Sequence, residues 1–145
     1  MHASKHDRCL ILEGACAAWA AQDMAAVKAC IHREAVYWHH LPPGIWPIAG
    51  IVRGKQEIVR SLSLFLQDFD VVRYRPLKMT LDEDEVWDLR IAFEYGHKLT
   101  GQVFDGTARI LTQFAGDKFR SFEIIHDVPR LRAFVELVSC MSVKA

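Results

Sequence analysis

Apolar residues recur along this chain in two rhythms, and the change from one to the other divides it. Cys9, Leu12, Cys16 and Trp19 return at three- and four-residue intervals in an alanine-rich stretch, which predicts an amphipathic helix over about residues 5–21. Asp23 then stands as an N-cap for a second, shorter helix whose buried side holds Val27, Cys30 and Ile31. The run EAVYWHHL is rich in β-branched and aromatic residues and stops at a double proline, so it reads as a strand. Beyond a loop from Pro42 to Gly54, Ile58, Leu62, Phe65 and Leu66 restore the helical interval and predict a third helix.

From Val71 onward the period becomes two. VVRYRPLKMTL, EVWDLRIAFEYGHKL, QVFDGTARILTQF and KFRSFEIIHDV are strand candidates separated by the turn signals DEDE, TG and AGD, and connections this short predict an antiparallel meander. Trp87, Leu89, Ile91, Phe93 and Tyr95 share one face of the second of these strands, while Asp88, Arg90 and Glu94 share the other. Phe104, Ala108, Ile110 and Phe114 form the matching apolar row on the next strand, and Phe122 with Ile124 on the last. Pro129 sits near the start of a short closing helix carrying Leu131, Phe134, Leu137 and Val138. Helices gathered on one face of an antiparallel sheet define an α+β domain.

Composition narrows the partners more than the fold. A chain of 145 residues is the size of one domain, expected to span 1–145, and the 51% hydrophobic and 25% charged fractions are those of a globular protein. Eighteen Lys and Arg balance eighteen Asp and Glu, leaving no net field to gather nucleic acid or an acidic membrane. The apolar runs fall short of the roughly 18 residues that a membrane span requires. Cys9, Cys16, Cys30 and Cys140 form no C-x-x-C pair and follow no secretory signal, which leads to the expectation of a reduced, cytoplasmic protein.

Three local patterns, taken with the order of elements, carry a family resemblance over nearly the whole chain. AAQDMAAVKACIHREAVYWHH is similar to the opening helix, aspartate-led second helix and first strand of the cone-shaped family that includes ketosteroid isomerase, the SnoaL-type polyketide cyclases, scytalone dehydratase and nuclear transport factor two. GIVRGKQEIVRSL resembles that family's glycine and third helix, and GQVFDGTARI with FEIIHDVPRL resembles the cyclases' hairpin and last strand. The resemblance implies a curved sheet wrapped around three helices of the N-terminal half, a deep apolar pocket for a small hydrophobic molecule, and a homodimer formed through the sheet. It implies no cofactor, and it does not select a reaction, because the family houses isomerases, cyclases, dehydratases and plain binding modules.

His39 is the first candidate for chemistry. Laid against the isomerase pattern from Asp23, it falls without a gap on the aspartate that removes a proton next to a carbonyl, and an imidazole is a competent general base near neutral pH. The structural alternative is that His39 and His40 merely end a strand, and since successive strand residues face opposite sides, at most one of them should face the pocket. Asp127 resembles the acid/base aspartate of SnoaL-type cyclases, yet its place just before Pro129 also suits a helix N-cap. Strand parity aims His126 inward and Asp127 outward, unless a bulge at Ile124 and Ile125 reverses them, so His126 is a rival.

Trp19, Tyr37, Trp46, Phe65, Tyr95 and His97 are the candidate ligand contacts, with ordinary core packing as the alternative for the aromatics. Trp46, between Gly44 and Pro47, is a candidate to close the mouth of the pocket, while His97 lies two positions out of register with the cyclases' hairpin histidine. The isomerase's helix-one tyrosine maps to Ala15 and its second oxyanion donor maps near Ile110, which argues against steroid isomerisation in the known manner. Adjacent histidines on a strand point apart and have no His-x-His or acidic partner at ligand spacing, so no metal site is expected.

Overall fold

The computed structural model describes residues 4–40 and 49–144, with side chains described up to residue 141. Four helices and six strands follow one another as α1 (Lys5–Ala20), α2 (Met24–Ala29), β1 (Ile31–His39), β2 (Gly50–Arg53), α3 (Lys55–Asp68), β3 (Phe69–Leu81), β4 (Trp87–His97), β5 (Val103–Ala115), β6 (Lys118–Ile125) and α4 (Val128–Lys144). The strands form one curved, unclosed sheet in the order β2-β1-β6-β5-β4-β3. This is the α+β cone that the periodicities and the resemblance predict.

Local chemistry accounts for the helix starts. Ser4 and Asp7 form a reciprocal capping box at α1, each side chain accepting the other's backbone N–H. The Asp23 side chain accepts the Ala26 N–H at the head of α2, as expected of an N-cap. At α3 the cap is Gly54 with φ of 89°, a conformation in which a Cβ would be strained, so the glycine turns the chain from β2 into the helix. Leu12, Cys16 and Trp19 of α1 and Ile58, Leu62 and Phe65 of α3 form the buried stripes laid against the sheet.

The meander β3-β4-β5-β6 is antiparallel throughout, but β1 joins it in parallel, with Tyr37 opposite Phe122 and His39 opposite Ile124. This pairing explains two departures from the sequence reading. Ile31 belongs to β1 and not to the second helix, because Cys30 accepts the Phe119 N–H at 2.8 Å and Ile31 pairs with Phe119 at the start of the parallel ladder. The segment read as loop from Pro42 to Gly54 contains β2, four residues that pair antiparallel with β1 on its free edge. Four residues hold too little alternation to announce a strand; the pairing partner makes it one.

The apolar rows of β4 and β5 face the helices as expected. Trp87, Leu89, Ile91, Phe93 and Tyr95 are all buried, along with Phe104, Ala108 and Ile110. Two contiguous core clusters result, one around Phe65, Phe93 and Phe104 and the other around Leu12, Leu89 and Phe119. On β3 a register shift between Val71 and Arg73 changes the parity, so Tyr74 faces inward opposite Phe93. The N-terminal turn of α4 lies over β5, with Arg130 donating to Asp105 at 3.0 Å and lying 5.3 Å over the Phe104 ring.

Ile91, 0% exposed in the middle of β4, and Leu77, 52% exposed on the edge strand β3, test which apolar residues hold the cone. Ile91→Ala is expected to lower the unfolding free energy by about 2–5 kcal/mol and Leu77→Ala by no more than about 0.5 kcal/mol, measured by urea denaturation. Similar losses in both variants would contradict this placement of the core.

Candidate active site

The parallel register of β1 and β6 assembles the centre of the site. His39 lies opposite Ile124, and two residues farther along the same face of the β6 path comes His126. The two imidazoles stack with ring centroids 4.8 Å apart and an interplanar angle of 25°. Tyr37 also stacks with His39 at 6.3 Å, and Phe93 packs edge-on to His126 at 5.1 Å. The register of β5 with β6 runs unbroken through Ile124 and Ile125, so no bulge reverses the parity and His126 points inward.

His39 and His126 are two of the residues that line a cavity of roughly 100 Å³ between the helices and the inner face of the sheet. The rest of its wall is apolar or uncharged, and among the described residues no Asp, Glu, Lys or Arg lines it. Trp19, Tyr37 and Tyr95 take part in the lining, and Trp19 Nε1 donates to the Tyr95 hydroxyl across 3.1 Å. Phe65 does not reach the cavity: it is fully buried behind it, stacked on Trp19 at 5.9 Å and edge-on to Tyr95 at 4.9 Å. His97 also lies away from the cavity, its Nδ1 2.8 Å from the Thr100 hydroxyl and its ring against Phe69. Trp46 falls outside the described residues.

The remaining candidates separate cleanly. Asp127 is exposed and caps α4, its carboxylate accepting the Arg130 N–H at 3.2 Å and its carbonyl the Leu131 N–H at 3.0 Å. It does not line the cavity. His40 takes the opposite side of β1 from His39, where it stacks on Trp38 at 4.0 Å and bonds through Nε2 to the Glu123 carboxylate at 2.6 Å. Tyr74 lines the cavity although strand alternation from Phe69 and Val71 points it outward. Only the register shift on β3 brings it in, and a single sequence carries no sign of that shift.

Electrostatics follows from the wall. Burial lowers the His39 pKa to about 3, with the neighbouring imidazoles of His126 and His40 adding to the effect. Burial alone lowers His126 to about 4. Both rings are therefore neutral at pH 7, each carrying one donor and one acceptor nitrogen. His39 is 1% exposed, and its Nδ1 has no hydrogen-bond partner among the described residues. A histidine kept for structure alone would be expected to use that nitrogen, since an unsatisfied buried polar atom costs about 1–3 kcal/mol. Burial also holds the hydroxyls of Tyr37, Tyr74 and Tyr95 protonated, raising each above the ordinary tyrosine range. The arrangement can thus offer neutral donors and acceptors to a molecule that otherwise fills apolar space.

Among the described residues no group of three or more His, Cys, Asp or Glu side chains is placed to hold a metal ion, and no helix is long and apolar enough to cross a membrane.

Comparison with known proteins agrees with this architecture. An NTF2-like protein of unknown function from Burkholderia pseudomallei superposes with a TM-score of 0.77 at 14% identity, covering 89% of this chain and 97% of its own. A protein of ketosteroid isomerase-like fold from Catenulispora acidiphila, solved in complex with trimethylamine, superposes with a TM-score of 0.70 at 15% identity, over 83% of this chain and 88% of its own. TerC, co-crystallised with polyporic acid, gives 0.73 at 14% identity, over 90% of this chain and 98% of its own. At such identities the likeness is one of fold. No curated protein matches the chain in sequence. The SnoaL-like domain matches residues 12–122, most of the chain, and the protein belongs to that family.

Proposed function

We propose that the protein binds a small apolar or aromatic molecule in the cone and that the His39–His126 pair handles its polar group, by hydrogen bonding and by proton transfer. The observation that carries this reading is a fully buried imidazole, stacked on a second one at the wall of an apolar cavity, with its Nδ1 unpartnered among the described residues. Free space of roughly 100 Å³ suits a ligand of about one ring before any side chain moves, judged against the ~150 Å³ apolar cavity that admits benzene. Two proteins of this fold have been crystallised with small organic molecules, trimethylamine and polyporic acid, which supports a small molecule as the ligand class.

The low pKa values shape the chemistry. A neutral imidazole at this depth is a weak base, and its conjugate acid is a strong proton donor, so a proton taken from the ligand is readily returned to it. That suits isomerisation, cyclisation or dehydration, in which a proton moves between positions of one molecule, and calls for no cofactor. A noncatalytic binding module is the second reading, favoured by the same weak basicity; it predicts ligand binding with no proton exchange.

We also infer a cytoplasmic homodimer whose contact is the outer face of the sheet. Trp38, 42% exposed, and Ile51, 55% exposed, face each other there across β1 and β2, and the four cysteines are free thiols, as a reducing compartment would keep them.

Two measurements test these readings. Phenol is expected to bind the wild-type protein and to lose roughly five- to tenfold in affinity in His39→Phe, with toluene unaffected, by isothermal titration calorimetry; equal phenol affinity in both proteins would remove His39 from the site. Light scattering should give twice the chain mass for the wild type and a single chain mass for Trp38→Glu, and a monomeric wild type would refute the dimer.

A further inference from the structure

The lining of the cavity continues far beyond the histidine pair. Along β6 and on past its end, it runs from Phe119 through Phe122 and Ile124 to His126, and along β4 from Leu89 to Tyr95. At the rise of an extended chain, each of these stretches covers about 20 Å. The wall also draws on both core clusters, with Phe93 and Leu131 from the one and Leu12 and Phe119 from the other. Drawn out over such a length, a free space of roughly 100 Å³ is a narrow channel and not a rounded chamber.

The channel has unlike ends. His126 packs against His39, whose Nδ1 has no partner among the described residues, and against the Phe93 ring. The cluster at the other end contributes Leu12, Leu89, Ile110 and Phe119, all hydrocarbon. Its one polarisable group on the wall is the Cys16 thiol, which burial pushes up to about 12 and so keeps uncharged. Helix α1 runs beside this stretch and lines it with Leu12, Ala15, Cys16 and Trp19, about 10 Å along the helix axis. Two small side chains thus stand between two large ones, and the half-buried Ala15 is the smaller of the pair.

We propose that the channel selects molecules with one uncharged polar head and an unbranched hydrocarbon tail, the head at the imidazole pair and the tail passing Ala15, whose small side chain sets the width there. This rests on the cavity being the binding site and specifies the shape of the ligand within it.

Phenol, 4-n-butylphenol and 4-tert-butylphenol test the proposal by isothermal titration calorimetry, since the two butyl isomers carry the same carbons in different shapes. In the wild type the n-butyl compound should bind tighter than phenol by a factor on the order of 30, at roughly 0.8 kcal/mol per buried methylene, and the tert-butyl compound by no more than about threefold. Ala15→Leu, which fills the gap between Leu12 and Trp19, should cut the ratio of n-butyl to phenol affinity by about tenfold or more. Should that variant fail to fold, Cys16→Leu obstructs the adjoining lining position and is expected to do the same. Equal gains for both butyl isomers would overturn the channel while leaving the histidine site in place, and a ratio unchanged in the folded variant would overturn the role of Ala15. Failure of phenol itself to bind would refute the cavity as a binding site, and the channel with it.

Discussion

Backbone hydrogen bonds between β1 and β6 join the first strand of the chain to its last, and the cavity takes its shape from them. The pairing sets Tyr37 beside Phe122 and His39 beside Ile124, which places His126 one step farther on, against the His39 ring. It also leaves the other edge of β1 free for β2 and carries His40 to the outer face, where Glu123 holds it. A slip of one residue would exchange His39 for His40 at the cavity wall, because side chains on a strand alternate with a period of two. Register, more than any single contact, decides which histidine lines the cavity.

The stacked pair is held by packing, not by charge. No carboxylate lines the cavity among the described residues, so protonating either ring would place a cation in apolar surroundings beside another imidazole. Both pKa values are consequently depressed, to about 3 for His39 and about 4 for His126. By linkage, the unfolded chain binds more protons than the folded one below the ordinary histidine pKa of about 6.5. The stabilisation from keeping these rings neutral is thus full above that pH and is lost as pH falls toward the folded values. The same neutrality gives the cavity its chemical character, since a wall of apolar side chains, neutral imidazoles and tyrosines suits an uncharged ligand better than an ionic one.

Much of this could be read from the chain because its strongest patterns are local. The helix faces of Leu12, Cys16 and Trp19 and of Ile58, Leu62 and Phe65, the alternation from Trp87 to Tyr95, and the Asp23 cap follow from spacing alone, and the structure realises each. The resemblance of AAQDMAAVKACIHREAVYWHH to the family's opening supplied the choice of His39 over His40, whereas strand alternation only made His126 a rival to Asp127 and left both as candidates. What local pattern could not supply was non-local: the parallel β1–β6 ladder, the four-residue β2 and the register shift that turns Tyr74 inward all depend on partners distant in sequence. Phe65 shows the opposite limit, for a periodic apolar residue can lie against the cavity or one layer behind it, and spacing does not distinguish depth.

The central claim is that two neutral imidazoles share the wall of an apolar cavity, and nuclear magnetic resonance of ring-labelled histidine tests it most directly. Followed from pH 8 downward, with assignments from His39→Phe and His126→Phe, both rings should remain neutral through pH 6.5 and begin to protonate only well below it, near their folded values of about 3 and about 4. Midpoints at or above pH 6.5 for this pair would show that the rings are solvated or paired with a carboxylate, and would contradict the account.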